Sequence, residues 1–318
     1  MRLLYNQEAD FRQRRDFGQK FTATFEFIGA HWHALGRCLL YLALPAALLQ
    51  GIITGLVQQK AILSSADGAA AGGGSKLEIF SRQMALFSTM RQSPYYWLSV
   101  ALSAVFVTVI VLTVFGYVVE CLRPVPSAEP ITPRQVWAVV KREFLSSYLA
   151  YFILLIIIII GFFLLGIPGM YMAVAFSLFF MVKLVEGQDF IGNCQRCLSL
   201  VKGKWWSTCG LLLVISLVMG IVAAVVGGMV GGLSYLLLQH IEFGGSGGRS
   251  VLTVVLTAVG GLLNLLVYLP LMLAIAFQYF NLVERRDGTG LHQLVGQIGQ
   301  APVAVANADL RADEEGEY

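Results

Sequence analysis

The chain has 318 residues, of which 57% are hydrophobic and 13% charged, and its mean hydropathy is +0.72. A water-soluble domain carries about 25% charged residues, so this composition excludes an ordinary soluble protein and places most of the chain in lipid. The net charge of +3 is too small to favour nucleic-acid binding.

Six apolar runs predict six transmembrane helices. A helix needs about 20 apolar residues to cross the hydrocarbon core. Because backbone amides must be paired there, the runs cannot be open strands. The sequence predicts an all-α polytopic membrane domain over residues 1–286, with spans at 35–57, 96–119, 145–165, 168–185, 211–238 and 251–280. Residues 287–318 are predicted to form an acidic, largely disordered tail.

Basic residues are concentrated on one side of the predicted spans. With a cytoplasmic N-terminus, 17 of the 22 Lys and Arg residues lie on the cytoplasmic side. This bias predicts that both termini are cytoplasmic. The cysteines also fall on that side, where thiols stay reduced, so no disulfide is expected between Cys38, Cys121, Cys194, Cys197 and Cys209.

Three amphipathic segments precede the odd-numbered spans and predict interfacial helices at about 17–33, 133–144 and 190–206. In the first, apolar residues recur at helical spacing, namely Phe17, Phe21, Phe25, Ile28 and Trp32. The third repeats this spacing from Phe190 to Trp205, and the second opens with a capping box at Thr132 and Gln135. The even-numbered spans all end in Val-Glu. The pattern predicts three repeats, each an interfacial helix followed by a transmembrane hairpin.

Charged residues at the ends of the even-numbered spans form one candidate site. Glu120, Glu186 and Glu284 close these spans, and Lys183 and Lys202 lie nearby in the sequence. Two interpretations stay open. The charges form salt bridges at helix ends, or they form a cytoplasmic ring that gates a vestibule.

Span five carries small residues four positions apart, at Gly220, Ala224, Gly228 and Gly232. Such stripes let helix backbones approach closely, so we expect packing within the bundle. A contact between copies of the chain and a mobile hinge are the alternatives.

The membrane core contains few polar side chains. Asn264, near the midplane, and Gln50 are the main ones besides several Ser, Thr and Tyr residues. Ion-coupled carriers normally keep ionisable groups at this depth, so their absence from the sequence argues against ion coupling. We interpret Cys194-x-x-Cys197 as apolar filler, and the sequence shows no catalytic, metal or cofactor motif.

One segment resembles a known family. It runs from Ile167-Pro168-Gly169 through Glu186-Gly187 to Leu200-Val201-Lys202-Gly203-Lys204-Trp205-Trp206. It is similar to a broad bacterial family of six-helix membrane proteins without a settled function, which includes the membrane domain attached to some glycerophosphodiester phosphodiesterases. The opening Asp16-Phe17-Gly18 is similar to relatives often labelled carotene oxygenases. Those enzymes are soluble β-propellers with four iron-binding histidines, which this sequence does not match. The resemblance implies a six-helix fold in a bacterial inner membrane, and it implies no particular activity.

The expected function is that of a non-enzymatic membrane protein that binds or organises lipid, or supports a membrane complex. Its expected partners are membrane lipids, together with either a second copy of the chain or a membrane complex. No nucleic acid and no cofactor are expected. The alternative is a transporter or channel for a small or lipid-like solute. A polar cavity reaching the midplane near Asn264 would favour the alternative, whereas a solid apolar bundle would remove it.

Overall fold

The computed structural model describes residues 5, 8–69, 94–123, 131–240 and 245–288, together with 81, 84, 85, 88, 91 and 92. Helices make up 92% of the described residues, which contain no strand. The predicted acidic tail lies outside the described residues from position 289 onward.

Ten α-helices follow one another along the described chain. They are α1 (Glu8–Phe11), α2 (Phe17–Cys38), α3 (Leu44–Ala69), α4 (Pro94–Leu122), α5 (Pro133–Leu165), α6 (Ile167–Phe176), α7 (Phe179–Glu186), α8 (Phe190–Val201), α9 (Trp205–His240) and α10 (Gly245–Asp287). A π-helical turn, Leu39–Ala43, joins α2 to α3.

Six helical stretches are long and apolar enough to cross a membrane, as the sequence predicts. We number them as spans one to six: Phe17–Val57, Pro94–Leu122, Pro133–Leu164, Ile167–Glu186, Trp205–Leu233 and Val254–Asp287.

α5 begins at the predicted cap Thr132, and the structure also places caps at Asp16 before α2 and at Asp189 before α8. Asp16 and Gln19 form a capping box, in which the backbone N–H of Asp16 donates to Gln19 Oε1 at 3.0 Å. Thr132 and Gln135 form the predicted box in the same way, at 2.8 Å. Asp189 caps α8 by accepting a backbone N–H from its first turn. These caps satisfy amides that have no partner inside the helix.

The predicted interfacial helices end differently in the structure. α2 continues through the π-helical turn into α3, and α5 is one helix of 33 residues. The boundaries predicted after residues 33 and 144 are therefore not breaks in the helix. The third segment does end before its span, because Gly203 at φ 77° turns the chain between α8 and α9. The chain after residues 33 and 144 contains no residue with positive φ, so the helical backbone hydrogen bonds continue there.

Span four, predicted as one helix over 168–185, consists of α6 and α7. The two helices are separated at Ser177 and Leu178, where the Ser177 hydroxyl donates to the carbonyl of Val174 at 2.8 Å. A serine side chain that bonds to a preceding carbonyl competes with the helix ladder. The same bond is formed by Ser103 within the unbroken α4, so it accompanies the break and does not explain it.

The even-numbered spans lie on the inside of the bundle. In their most apolar stretches 50%, 44% and 44% of residues are buried, against 28%, 22% and 22% in the odd-numbered spans. The even-numbered spans contact one another, and they supply large buried side chains such as Phe115, Phe179 and Phe277. Inner and outer helices thus alternate along the chain. The three-fold repeat itself stays a prediction.

Spans one and six cross at glycines. A Cβ at Gly51 would lie 2.6 Å from Cα of Ala258, and one at Gly55 would lie 2.9 Å from Cα of Val254. Only glycine permits backbones to approach this closely, as in small-xxx-small helix pairs. The sequence prediction missed this contact, although the Gly51-x-x-x-Gly55 spacing was a signal that could have found it.

Candidate functional site

Two of the predicted ring residues pair with neighbours at the helix ends. The Glu120 carboxylate lies 3.0 Å from the Arg123 guanidinium, one turn further along the chain. Lys183 Nζ donates to Ser147 Oγ at 2.7 Å and lies 3.3 Å from Glu143 Oε2, which joins α7 to α5. The first contact is an ion pair at the end of one helix, and the second is an ion pair between two helices.

Glu186 belongs to a polar network that joins three helices, and we name it the Arg196 network. Arg196 on α8 donates to Glu186 Oε2 at 2.8 Å and also binds Asp287 at the end of α10. The Tyr279 hydroxyl on α10 donates to Glu186 Oε1 at 3.0 Å. Burial lowers the pKa of Arg196, but the hydrogen bonds to Asp287 and Glu186 outweigh burial and raise the pKa above its usual value.

The two other ring residues differ in exposure. Glu284 is buried near the end of α10, whereas Lys202 is exposed directly after α8. The predicted residues therefore lie at helix ends, and three of them, Glu120, Glu186 and Lys183, have the ion-pair partners given above.

The predicted packing stripe of span five faces outward. A Cβ at Gly220, Gly228 or Gly232 would meet no described atom within 4 Å, and Ala224 is exposed. No described residue packs against these glycines, so the packing role of this stripe stays a prediction. Adjacent helix positions differ by about 100°, and it is the neighbouring edge, Ala223, Gly227 and Gly231, that faces spans one, two and six.

That neighbouring edge lines a cavity of about 560 Å³ between spans one, two, five and six. Small and apolar residues make up most of the wall. Its polar members are Gln50, Thr54, Ser103, Thr257 and Tyr268. The described lining contains no Asp, Glu, Lys, Arg or His. The volume falls within the range of about 300–1,000 Å³ typical of small-molecule sites.

The cavity lies in the half of the bundle away from the Arg196 network. The cavity residue Ser103 lies nine residues, or about 13 Å along the helix axis, from the start of α4 at Pro94. The cavity residue Tyr268 lies 17 residues, or about 26 Å, from Arg285 at the basic end of α10. Tyr268 packs edge-to-face on Phe106, with ring centroids 6.1 Å apart, at the inner end of the cavity.

Beyond this aromatic pair the bundle is closely packed. Ile110 on α4 and Leu269 and Leu273 on α10 are at most 2% exposed. The described side chains therefore close the cavity toward the basic end of the bundle.

Gln50 is the most unusual polar group in the cavity wall. Its Nε2 donates to Thr54 Oγ1 at 3.2 Å, one turn along the same helix. Its Oε1 is buried, and no described group donates to it. The amide therefore keeps hydrogen-bonding capacity that its described neighbours do not use.

The predicted midplane residue Asn264 lies in α10 next to Leu263, which lines the cavity. The side chain of Asn264 lies outside the described residues.

His31 is a buried polar residue whose position the sequence did not reveal. Its Nδ1 lies 2.9 Å from the Tyr117 hydroxyl, and its ring stacks on Phe27 with centroids 4.5 Å apart. The spacing His31-x-His33 beside Trp32 indicates a polar face at the membrane interface, whereas the structure buries His31. The available signal was its helical register with Phe27 and Leu35, which are also buried.

The N-terminal segment covers the basic end of the bundle. The backbone N–H of Arg15 donates to Asn281 Oδ1 at 2.9 Å, and its guanidinium lies 5.2 Å from the Phe277 ring centroid. Burial lowers the pKa of Arg15 and raises the pKa of Tyr5 to about 12. The segment is thus anchored by the hydrogen bond to Asn281 and by the guanidinium against the Phe277 ring.

Cys194 and Cys197 form no disulfide in the structure, and burial raises the pKa of each thiol. A raised pKa disfavours the thiolate that redox chemistry and metal binding require. Within the part of the chain that the structure describes, no group of three or more His, Cys, Asp or Glu residues is placed to hold a metal ion.

The six apolar helices and the cavity between them indicate a multi-pass helical membrane protein. Comparison with protein families, with curated proteins and with solved structures gave no match. The resemblance to the bacterial six-helix family therefore stays a prediction.

Proposed function

We propose that the protein is a non-enzymatic component of the bacterial inner membrane that binds a lipid or lipid-like molecule between spans one, two, five and six. The cavity described above is the single observation that carries this proposal. It is of small-molecule size, its wall is largely apolar, and its polar groups are uncharged.

The closed inner end of the cavity favours binding over passage. A channel needs a continuous polar path, whereas Phe106 and Tyr268 meet at the end of this cavity and buried aliphatic side chains follow. A transporter for a small or lipid-like solute is the second candidate. The specific observation in its favour is that the cavity reaches Leu263, beside the predicted midplane residue Asn264.

Filling the cavity is expected to remove retained lipid. In Gly227→Leu the new side chain projects from a cavity-lining position where a Cβ would meet no described atom within 4 Å, so it occupies ligand space without a clash. Native mass spectrometry of protein purified in mild detergent measures the lipid-bound fraction. We expect Gly227→Leu to reduce it at least fivefold.

Gly228→Leu is the matched control. It is the next residue of the same helix, carries the same change and points outward, again with no described atom within 4 Å. Its lipid-bound fraction should equal that of the unchanged protein. Equal retention by both variants would overturn the proposal.

The proposed orientation places both termini in the cytoplasm, because basic residues are concentrated at that side. A green fluorescent protein fused after Tyr318 should therefore fluoresce, and alkaline phosphatase inserted after Gln239 should be active in the periplasm. A phosphatase that is inactive after Gln239 but active after Tyr318 would reverse the orientation.

A further inference from the structure

We infer that the cavity between spans one, two, five and six selects an uncharged lipid that carries a hydroxyl group, which hydrogen-bonds to the side-chain amide of Gln50. This inference rests on the proposed lipid-binding function and names the chemical class of its ligand.

The absence of charge in the described cavity wall sets the first limit on the ligand. None of the described lining residues is an Asp, Glu, Lys, Arg or His. A charged headgroup placed here would lose its hydration without gaining a counter-ion, which is strongly unfavourable in a low-dielectric site. The ligand group inside the cavity is therefore neutral.

The unused hydrogen-bonding capacity of Gln50 sets the second limit. Its Nε2 bonds to Thr54, while its Oε1 is buried without a described donor. A buried acceptor without a partner is destabilising, so such groups are normally satisfied. A ligand hydroxyl both donates and accepts, so after a rotation of the amide it can bond to Oε1 and to the second N–H of Nε2.

The surrounding wall sets the third limit. Glycines Gly227, Gly231 and Gly260 and aliphatic side chains such as Val107 and Val230 offer only apolar contact around the polar group. A long hydrocarbon chain fits such a wall, whereas a sugar or another multiply polar solute would leave most of its hydrogen bonds unmade. Together the three limits describe an alcohol attached to an apolar chain.

Three probe molecules with the same hydrocarbon chain test this inference on the full protein in detergent. Oleyl alcohol has the hydroxyl, oleyl methyl ether lacks the donor, and oleyl sulfate carries a charge. Bound fractions at increasing probe concentration are measured by native mass spectrometry. We expect oleyl alcohol to bind about tenfold more tightly than the ether, the effect of one hydrogen bond to a buried group, and more tightly still than the sulfate.

Gln50→Met keeps the length of the side chain but removes its amide. It should bind the alcohol and the ether with equal affinity, whereas Thr54→Val keeps the amide and should keep the preference. The comparison of probes on the unchanged protein requires no variant, so a Gln50→Met protein that fails to fold leaves the test intact.

The outcomes separate the two proposals. Equal binding of alcohol and ether to the unchanged protein, with both lost in Gly227→Leu, would overturn hydroxyl recognition and leave lipid binding in place. Sulfate binding as tight as alcohol binding would overturn the neutral class. Failure of all three probes to bind, or binding that Gly227→Leu does not alter, would overturn the lipid-binding function and this inference with it.

Discussion

Gly51→Val is expected to destabilise the bundle by about 3 kcal/mol or more, at the upper end of the range for overpacked cores. The Cβ of the new residue would lie 2.6 Å from Cα of Ala258, and backbone atoms of a helix cannot move aside as a flexible side chain can. Spans one and six must therefore separate along the contact that also includes Gly55. The free energy of unfolding, measured by titration with sodium dodecyl sulfate in mixed micelles, gives the size of the effect.

Gly228→Val is the control for this prediction. It makes the same change in the middle of a helix, at an outward-facing position where a Cβ meets no described atom within 4 Å. Because valine has a higher helix propensity than glycine, the control should keep or slightly raise the free energy of unfolding. Equal losses in both variants would show that valine itself, and not the crossing of spans one and six, is responsible.

Local signals in the sequence were sufficient to predict where α2, α5 and α8 begin. A cap and its partner lie within three residues of each other, as Thr132 and Gln135 do, so their geometry follows from the chain alone. The number of spans follows equally from local composition, because hydrocarbon requires about 20 apolar residues for each crossing. Both predictions agree with the structure.

The direction in which a helix face points was harder to predict. In α2 the apolar stripe includes Phe25 and Trp32, which are 48% and 46% exposed, while Lys20, Thr24 and His31 are buried. In water the apolar face would turn inward. Lipid is itself apolar, so it does not favour turning the apolar face inward. Polar residues can therefore lie on the buried face of a helix where they have hydrogen-bond partners.

The stripe of small residues in span five shows the same difficulty in predicting which face of a helix points inward. Gly228 and Gly227 are equally small, and the sequence does not say which edge of the helix meets its neighbours. The structure turns Gly227 toward spans one, two and six and leaves Gly228 outward. Gly51 and Gly55, by contrast, form the close contact, because they face the backbone of Ala258 and Val254 on span six.

The two ends of the bundle differ in construction. The basic end is closed by the N-terminal segment around Arg15 and by the Arg196 network, whereas the other half contains the cavity. Residues that are distant in the sequence meet at the basic end, such as Arg196 and Asp287, which are 91 positions apart. Such pairs depend on the tertiary fold, so local patterns do not predict them.

Arg196→Ala is expected to lower the free energy of unfolding by about 2 kcal/mol. The guanidinium joins Glu186 on α7 to Asp287 on α10, and its removal leaves both carboxylates without this partner. Loss of one partner from a fully buried pair costs about 3–5 kcal/mol, and an exposed pair contributes about 0–1 kcal/mol. The side chains of Arg196, Glu186 and Asp287 are 21%, 17% and 30% exposed, which places the effect between these limits.

Arg142→Ala serves as the control, because Arg142 forms a similar pair with Glu143 but its side chain is 68% exposed. It should change the free energy of unfolding by less than about 0.5 kcal/mol. A double-mutant cycle with Glu186→Gln, which keeps the acceptor for Tyr279, isolates the Arg196–Glu186 term. We expect a coupling energy of at least about 1 kcal/mol, since both side chains are mostly buried. Strict additivity in this cycle would mean that the Arg196 network positions the helix ends without stabilising them.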